Sequence, residues 1–132
     1  MSSLSPTWST PSAPFWLLVD GDRTASAWRA TAAAERRTGL LGTDPLPGAL
    51  WIERCSSVHT FGMRYALDLA FLDRAGRVLA VTTMATSRLG LPRLRARSVL
   101  EVPAGLLSQW RIVPGARLSL VARPDQSLVT GE

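Results

Sequence analysis

Apolar positions in this chain fall into many short runs separated by turn signals at close intervals, which is the spacing of strands rather than of long helices. FWLLVDGDRTASAW places Asp20-Gly21 between two such runs and predicts a tight turn joining two strands. TAAAERRTGLLG predicts a short helix, with Thr31 as its N-cap, Ala32 to Ala34 favouring the helical state, and Gly39 or Gly42 ending it. The prolines of DPLPG, residues 44–48, predict a loop, and ALWIE opens a strand-rich stretch. LDLAFLDRAGRVLAVTTM is the clearest hairpin, with strands near 66–72 and 77–83 and Gly76 suited to the left-handed position of the turn. SVLEVPAGLLSQW reads as a strand ending at Pro103 that passes through Gly105 into a helical turn. RIVPGARLSLVAR predicts a second hairpin, with Pro114-Gly115 placed for a type II turn. Together these elements predict a mostly β fold: a small β-sandwich or barrel of antiparallel strands with one or two short helices. The run 67–72 is apolar on both faces and belongs in the interior of the sheet.

The ends of the chain differ from its middle. Residues 1–14 are rich in Ser, Thr and Pro and read as a flexible tail; residues 124–132 read as a second tail. The 132 residues therefore predict one globular β-rich domain over 15–123. Long apolar stretches are broken by Arg, Asp, Gly or Pro, so no membrane insertion is expected. The N-terminus has neither the basic region nor the apolar core of a secretory signal, and the expected location is the cytoplasm.

One position disturbs the pattern. Asp68 lies inside the most apolar run of the chain and shares a strand face with Ala66, Ala70 and Leu72. A buried carboxylate must be paired or heavily hydrogen-bonded. The expected partner is an Arg side chain, Arg64 first, or a cluster of backbone N–H groups. Glu101, inside SVLEVPAG, raises the same question.

The stretch around Asp68 resembles a known family. Cys55, Ser57, His59, Thr60, Phe61, Met63, Arg64, Asp68, Phe71, Leu72 and Asp73 fall on the Cys-x-Ser-x-His-Thr-Phe-x-Met-Arg pattern of one branch of domain of unknown function family 192. Arg37-Thr38-Gly39-Leu40-Leu41-Gly42 is similar to that family's Arg-x-Gly-Leu-Leu/Met-Gly element, and Val99 to Gly105 to its Val-Leu-Glu-x-x-Ala-Gly element; Gly115 falls at a turn glycine. Tyr65, Ala66 and Thr43 depart from the pattern. The resemblance spans roughly residues 24 to 121 and implies a compact, mostly β fold without implying an activity.

Composition narrows the chemistry further. The net charge is +5, all 15 basic residues are Arg, and the loop carrying Arg88, Arg93, Arg95 and Arg97 lacks interleaved aromatics and any nucleic-acid motif. It reads as solvated surface, and no specific nucleic acid is expected. With one His and one Cys there is no metal-ligand pair, and no Gly-rich phosphate cradle follows a strand, so neither metal nor cofactor is expected. Cys55 and His59 make a poor nucleophile–base pair, since residues four apart in extended chain lie about 13 Å apart. Trp16, Trp28, Trp51 and Trp110 have apolar neighbours and read as core or half-core.

Two functions of different class remain. The first is a non-catalytic binding or interaction module, for an unknown small polar ligand or a protein partner. Its pocket is expected around Met63, Arg64 and Asp68, with His59, Thr60 and Glu101 as further ligand-binding candidates, Gly39 to Gly42 closing it, and no catalytic residue. The second is a small glycosidase-like hydrolase using Asp68 and Glu101, because paired carboxylates about 5 to 10 Å apart can share acid and base roles.

Overall fold

The computed structural model describes residues 14–33, 36, 39–40 and 48–123. Seven strands form one sheet: β1 (Phe15–Val19), β2 (Asp22–Ala30), β3 (Gly48–Glu53), β4 (Leu67–Leu72), β5 (Val78–Met84), β6 (Ser98–Pro103) and β7 (Leu118–Ala122), in the order β5-β4-β6-β3-β2-β1-β7. A short helix, α1 (Leu106–Gln109), follows β6. The expected tails at 1–13 and 124–132, the loop at 44–47, Gly42 and most of the predicted helix after Thr31 lie outside the described residues. Of that helix, the Arg36 N–H bonds the Ala32 carbonyl at 2.9 Å, as a first helical turn requires.

The mostly β expectation holds, with two corrections. The sheet is mixed: β2 and β3 run parallel, while the other neighbours are antiparallel. A parallel pair needs a crossover long enough to bring the chain back to its start, and residues 31–47 provide it. The second hairpin is also absent. Val113 to Ala116 does form a turn, closed by the Ala116 N–H on the Val113 carbonyl at 3.0 Å, with Gly115 at φ 96. Its upstream arm instead continues from α1, the Ile112 N–H bonding the Leu107 carbonyl at 2.9 Å, and β7 pairs with β1.

Two turns form where the sequence places them. Asp20 and Gly21 have φ 51 and 89, both positive as a two-residue type I′ connection requires. Asp73 accepts hydrogen bonds from the N–H groups of Ala75 and Arg77 at 2.9 Å each, and these bonds hold its carboxyl below the usual carboxylate range. Gly76 completes that turn at φ 86, and a Cβ there would lie 2.3 Å from the Leu118 carbonyl oxygen. The close approach arises because the β5 and β7 ends of the sheet meet at an Arg77–Arg117 bridge, which curls the sheet into an open barrel. Gly76→Ala should therefore cost roughly 2 to 4 kcal/mol, from the positive φ and from displacement of backbone on β7. Urea unfolding checks this, and a loss under about 0.5 kcal/mol would contradict it.

Both faces of the sheet are covered. One face packs Leu17, Ala70, Leu72, Leu100, Val102 and Leu118 against Leu107 of α1 and against Ile112. The other packs Trp28, Leu50, Ile52, Leu67, Leu69, Phe71 and Val99 against Leu40 and the residues flanking β3 and β4. This explains why β4 is apolar on both sides: all six of its residues are buried, and it lies one strand in from the β5 edge. Trp28 is buried, and Trp16, Trp51 and Trp110 are half-buried, as their apolar neighbours predict. No helix among the described residues is long and apolar enough to cross a membrane.

Candidate functional site

Register decides where the two buried carboxylates go. Directly opposed residues in an antiparallel pair share a face. Asp68 opposes Val102, whereas Glu101 opposes Leu69 on β4 and Leu50 on β3. The two carboxylates therefore point to opposite faces of the sheet, with the β4–β6 backbone between them. The glycosidase-like arrangement, which needs both acids on one substrate, is not formed.

Asp68 points to the face that carries α1. Its Oδ1 accepts from the Thr83 hydroxyl at 2.6 Å, and its Oδ2 accepts from the Gly105 N–H at 2.7 Å and the Leu107 N–H at 3.3 Å. The backbone N–H expectation is met and the Arg64 expectation is not: Arg64 is exposed and is not among these partners. Gly105 has no side chain to cap α1 and starts it at φ 99; a carboxylate from a strand next to β6 does the capping instead. Asp68 is 5% exposed, and its carboxylate ties the start of α1, whose Leu107 sits in the core, to β4.

Glu101 points to the other face, into a pocket of about 330 Å³. Ile52, Leu67 and Glu101 come from the sheet; Ala33, Arg36, Gly39 and Leu40 from the β2–β3 crossover; and Arg54, Cys55, Ser57, Val58, His59 and Met63 from the β3–β4 connection. The volume is at the small end of ligand sites. The Glu101 carboxyl lies against the backbone of the crossover: the Leu40 N–H bonds it, and a Cβ on Gly39 would sit 3.0 Å from Oε1. Gly39 has φ 50, so glycine serves both the backbone conformation and the close approach. Oε1 is buried and has no hydrogen-bond partner. Burial pushes the Glu101 carboxyl from its ordinary 4.5 up to about 7, against the lowering effect of the Leu40 bond.

The remaining lining groups are mostly committed to the protein. The Cys55 thiol donates to the Ser57 carbonyl at 3.1 Å, and burial raises its pKa above the ordinary thiol value, aided by the negative charge of Glu101. The thiol is thus held neutral and bonded to loop backbone. Arg36 donates to the Thr31 carbonyl at 3.2 Å and the Arg54 carbonyl at 3.5 Å, tying the crossover to the end of β3. His59 is exposed at the rim, its ring 5.6 Å from that of Phe61. Among the described residues no group of three or more His, Cys, Asp or Glu side chains comes together.

The expected site is thus split. Glu101, His59, Met63 and Gly39 meet at the pocket; Asp68 lies behind the sheet, and Arg64 and Thr60 are not in the lining. The Thr60 hydroxyl is spent on loop backbone, donating to the Ala85 carbonyl at 2.6 Å and accepting from the Arg88 N–H at 2.8 Å. Ser57, which falls on the family pattern, also lines the pocket; Arg36, Arg54 and Val58 join it without a sequence signal that singles them out, since the packing of the crossover and the β3–β4 connection brings them there.

With this geometry in place, comparison with known proteins bears on the whole unit. The model of the DUF192 family, described as Uncharacterized ACR, matches residues 16–120. A UPF0127 protein of Pyrococcus horikoshii is 43% identical over 51 residues, covering 39% of this chain and 44% of that protein. One of Pyrococcus abyssi is 30% identical over 66 residues, covering 50% and 56%. The chain spans about half the length of these curated relatives. Two solved structures share the fold: a protein of unknown function from Novosphingobium aromaticivorans (TM-score 0.69, 19% identity, 90% of this chain and 99% of that one) and a putative transcription regulator from Sinorhizobium meliloti (TM-score 0.67, 17% identity, 85% and 98%).

Proposed function

Because this chain belongs to the DUF192 family, we propose that its Glu101 pocket is the working site of a non-catalytic binding module. The ligand is a small polar molecule that offers a hydrogen-bond donor to Glu101. The observation that carries this reading is the unpartnered Oε1 of the buried Glu101 carboxyl, which lines the pocket. Buried polar atoms are nearly always satisfied, and an orphan calls for an explanation. A ligand hydroxyl or amine entering the pocket supplies the missing partner. Met63 provides adaptable apolar contact at the same site, and His59 a polar group at the rim.

A buried carboxyl near pH 7 also suits general acid or base work. The available partners weigh against catalysis: Asp68 faces away, the Cys55 thiol is bonded to backbone, and His59 stands exposed at the rim. Binding is therefore the better reading, in a protein expected in the cytoplasm.

Amide NMR spectra recorded with a panel of small amines, polyols and amino acids test it. At least one probe class should shift the signals of Gly39, Leu40, Cys55, His59 and Met63 together, and Glu101→Leu should abolish the response. Shifts scattered over the surface, or none, would overturn the proposal. Conversion of a probe to product would replace it with an enzymatic one.

A further inference from the structure

The loop between β5 and β6 carries a second feature, separate from the pocket. Its backbone is tied down at several points: the Thr60 hydroxyl holds Ala85 and Arg88, the Gly90 N–H bonds the Val58 carbonyl at 2.9 Å, and the Arg93 N–H bonds the Ser56 carbonyl at 2.9 Å. A Cβ on Gly90 would lie 2.6 Å from the Val58 oxygen, so the two segments are packed closely. Yet this anchored loop presents apolar side chains to water: Leu89 is 71% exposed, Leu91 79% and Leu94 96%, with Phe61 at 50% on the neighbouring segment. Residues 91–95 are all exposed. Arg88, Arg93 and Arg95 alternate with the leucines, and no acidic residue occurs from 74 to 100.

We infer that this loop is a docking surface for an anionic lipid membrane. The leucines enter the interfacial layer and the arginines meet the acidic headgroups, with no spanning element involved. Charge selects the partner's sign. The separate, exposed leucines select its kind: side chains spread along a loop suit an interface that deforms around each of them, whereas a folded protein would need a matching groove. Nucleic acid would use the arginines but gain nothing from three exposed leucines. Arg93 also stacks on the Phe71 ring at 4.7 Å, so Arg88 and Arg95 are the better arginines to remove without disturbing packing.

Co-sedimentation of the full chain with vesicles tests this, comparing pure phosphatidylcholine with vesicles containing about one quarter phosphatidylglycerol. The chain should bind the anionic vesicles and not the neutral ones, more weakly as salt rises. Arg88→Ser with Arg95→Ser should weaken binding roughly 25-fold, at about fivefold per charge. Leu91→Ser with Leu94→Ser should weaken it by on the order of tenfold per leucine. Both variants should keep the parent's unfolding temperature, because the four side chains are exposed. Absence of binding to anionic vesicles overturns the inference. So does a leucine variant that binds like the parent. Salt-sensitive DNA binding lost only in the arginine variant would assign the loop to nucleic acid, and concentration-dependent self-association lost in the leucine variant would assign it to a second copy of the chain.

Discussion

Asp68→Ala should lower folding stability by about 3 to 4 kcal/mol, the larger of the two effects expected at the buried carboxylates. The substitution leaves three donors without their acceptor: the Thr83 hydroxyl and the Gly105 and Leu107 N–H groups. Thr83 and Gly105 are exposed and regain water, but Leu107 is buried and does not. A hydrogen bond to a charged acceptor contributes about 1.5 to 3 kcal/mol net, and the two short ones dominate. Loss of the cap also loosens α1, a helix too short to persist without tertiary contacts, and with it the seat of Leu107 in the core. Asp68→Asn should cost less, about 1 to 2 kcal/mol, because one acceptor and the shape survive and the Thr83 hydroxyl can turn to accept from the new amide. Chemical denaturation of both variants checks the order; an Asp68→Ala protein as stable as the parent would remove the anchoring role.

Glu101→Gln should have the opposite sign above neutral pH. Burial raises the Glu101 carboxyl from 4.5 to about 7, so between these values the folded chain holds a proton that the unfolded chain has released. Stability then falls as pH rises through that window, and at pH 8 the full penalty of about 3 kcal/mol is present. Glutamine carries no charge to desolvate but leaves an amide donor poorly placed at the pocket floor. The variant should therefore gain about 2 kcal/mol over the parent at pH 8 and show little advantage at pH 5, where the parent's carboxyl is already protonated. A parent whose stability is flat from pH 5 to 8 would contradict this. A residue whose burial costs the fold more than its bond to the Leu40 N–H returns is the kind that sites retain.

The different legibility of these two residues has a physical basis. Local patterns were enough to locate the Asp20-Gly21 turn, the 67–84 hairpin, and the passage from β6 through Gly105 into α1, because each is fixed by residues a few positions apart. Asp68 was legible as a buried, anchored carboxylate, since an acid in a run apolar on both faces must be satisfied. Its partners were not, because Gly105 and Leu107 lie 37 and 39 residues away and reach it only through β4–β6 pairing. The same register, with Leu69 opposite Glu101, separates two acids that the sequence allowed to meet. Gly39 and Glu101 were both expected at the pocket, and their contact gives a physical reason for glycine in that element. The parallel β2–β3 pair and the fate of β7 depend on crossover geometry, about which strand periodicity is silent.

The proposed function gives the two buried carboxylates opposite purposes, Asp68 for the fold and Glu101 for a ligand. Urea unfolding at pH 8 of Asp68→Asn and Glu101→Gln, side by side with the parent, tests that division most directly. The predicted result is a less stable Asp68→Asn protein and a more stable Glu101→Gln protein. A Glu101→Gln protein that loses stability as Asp68→Asn does would make Glu101 a second structural anchor and contradict the account.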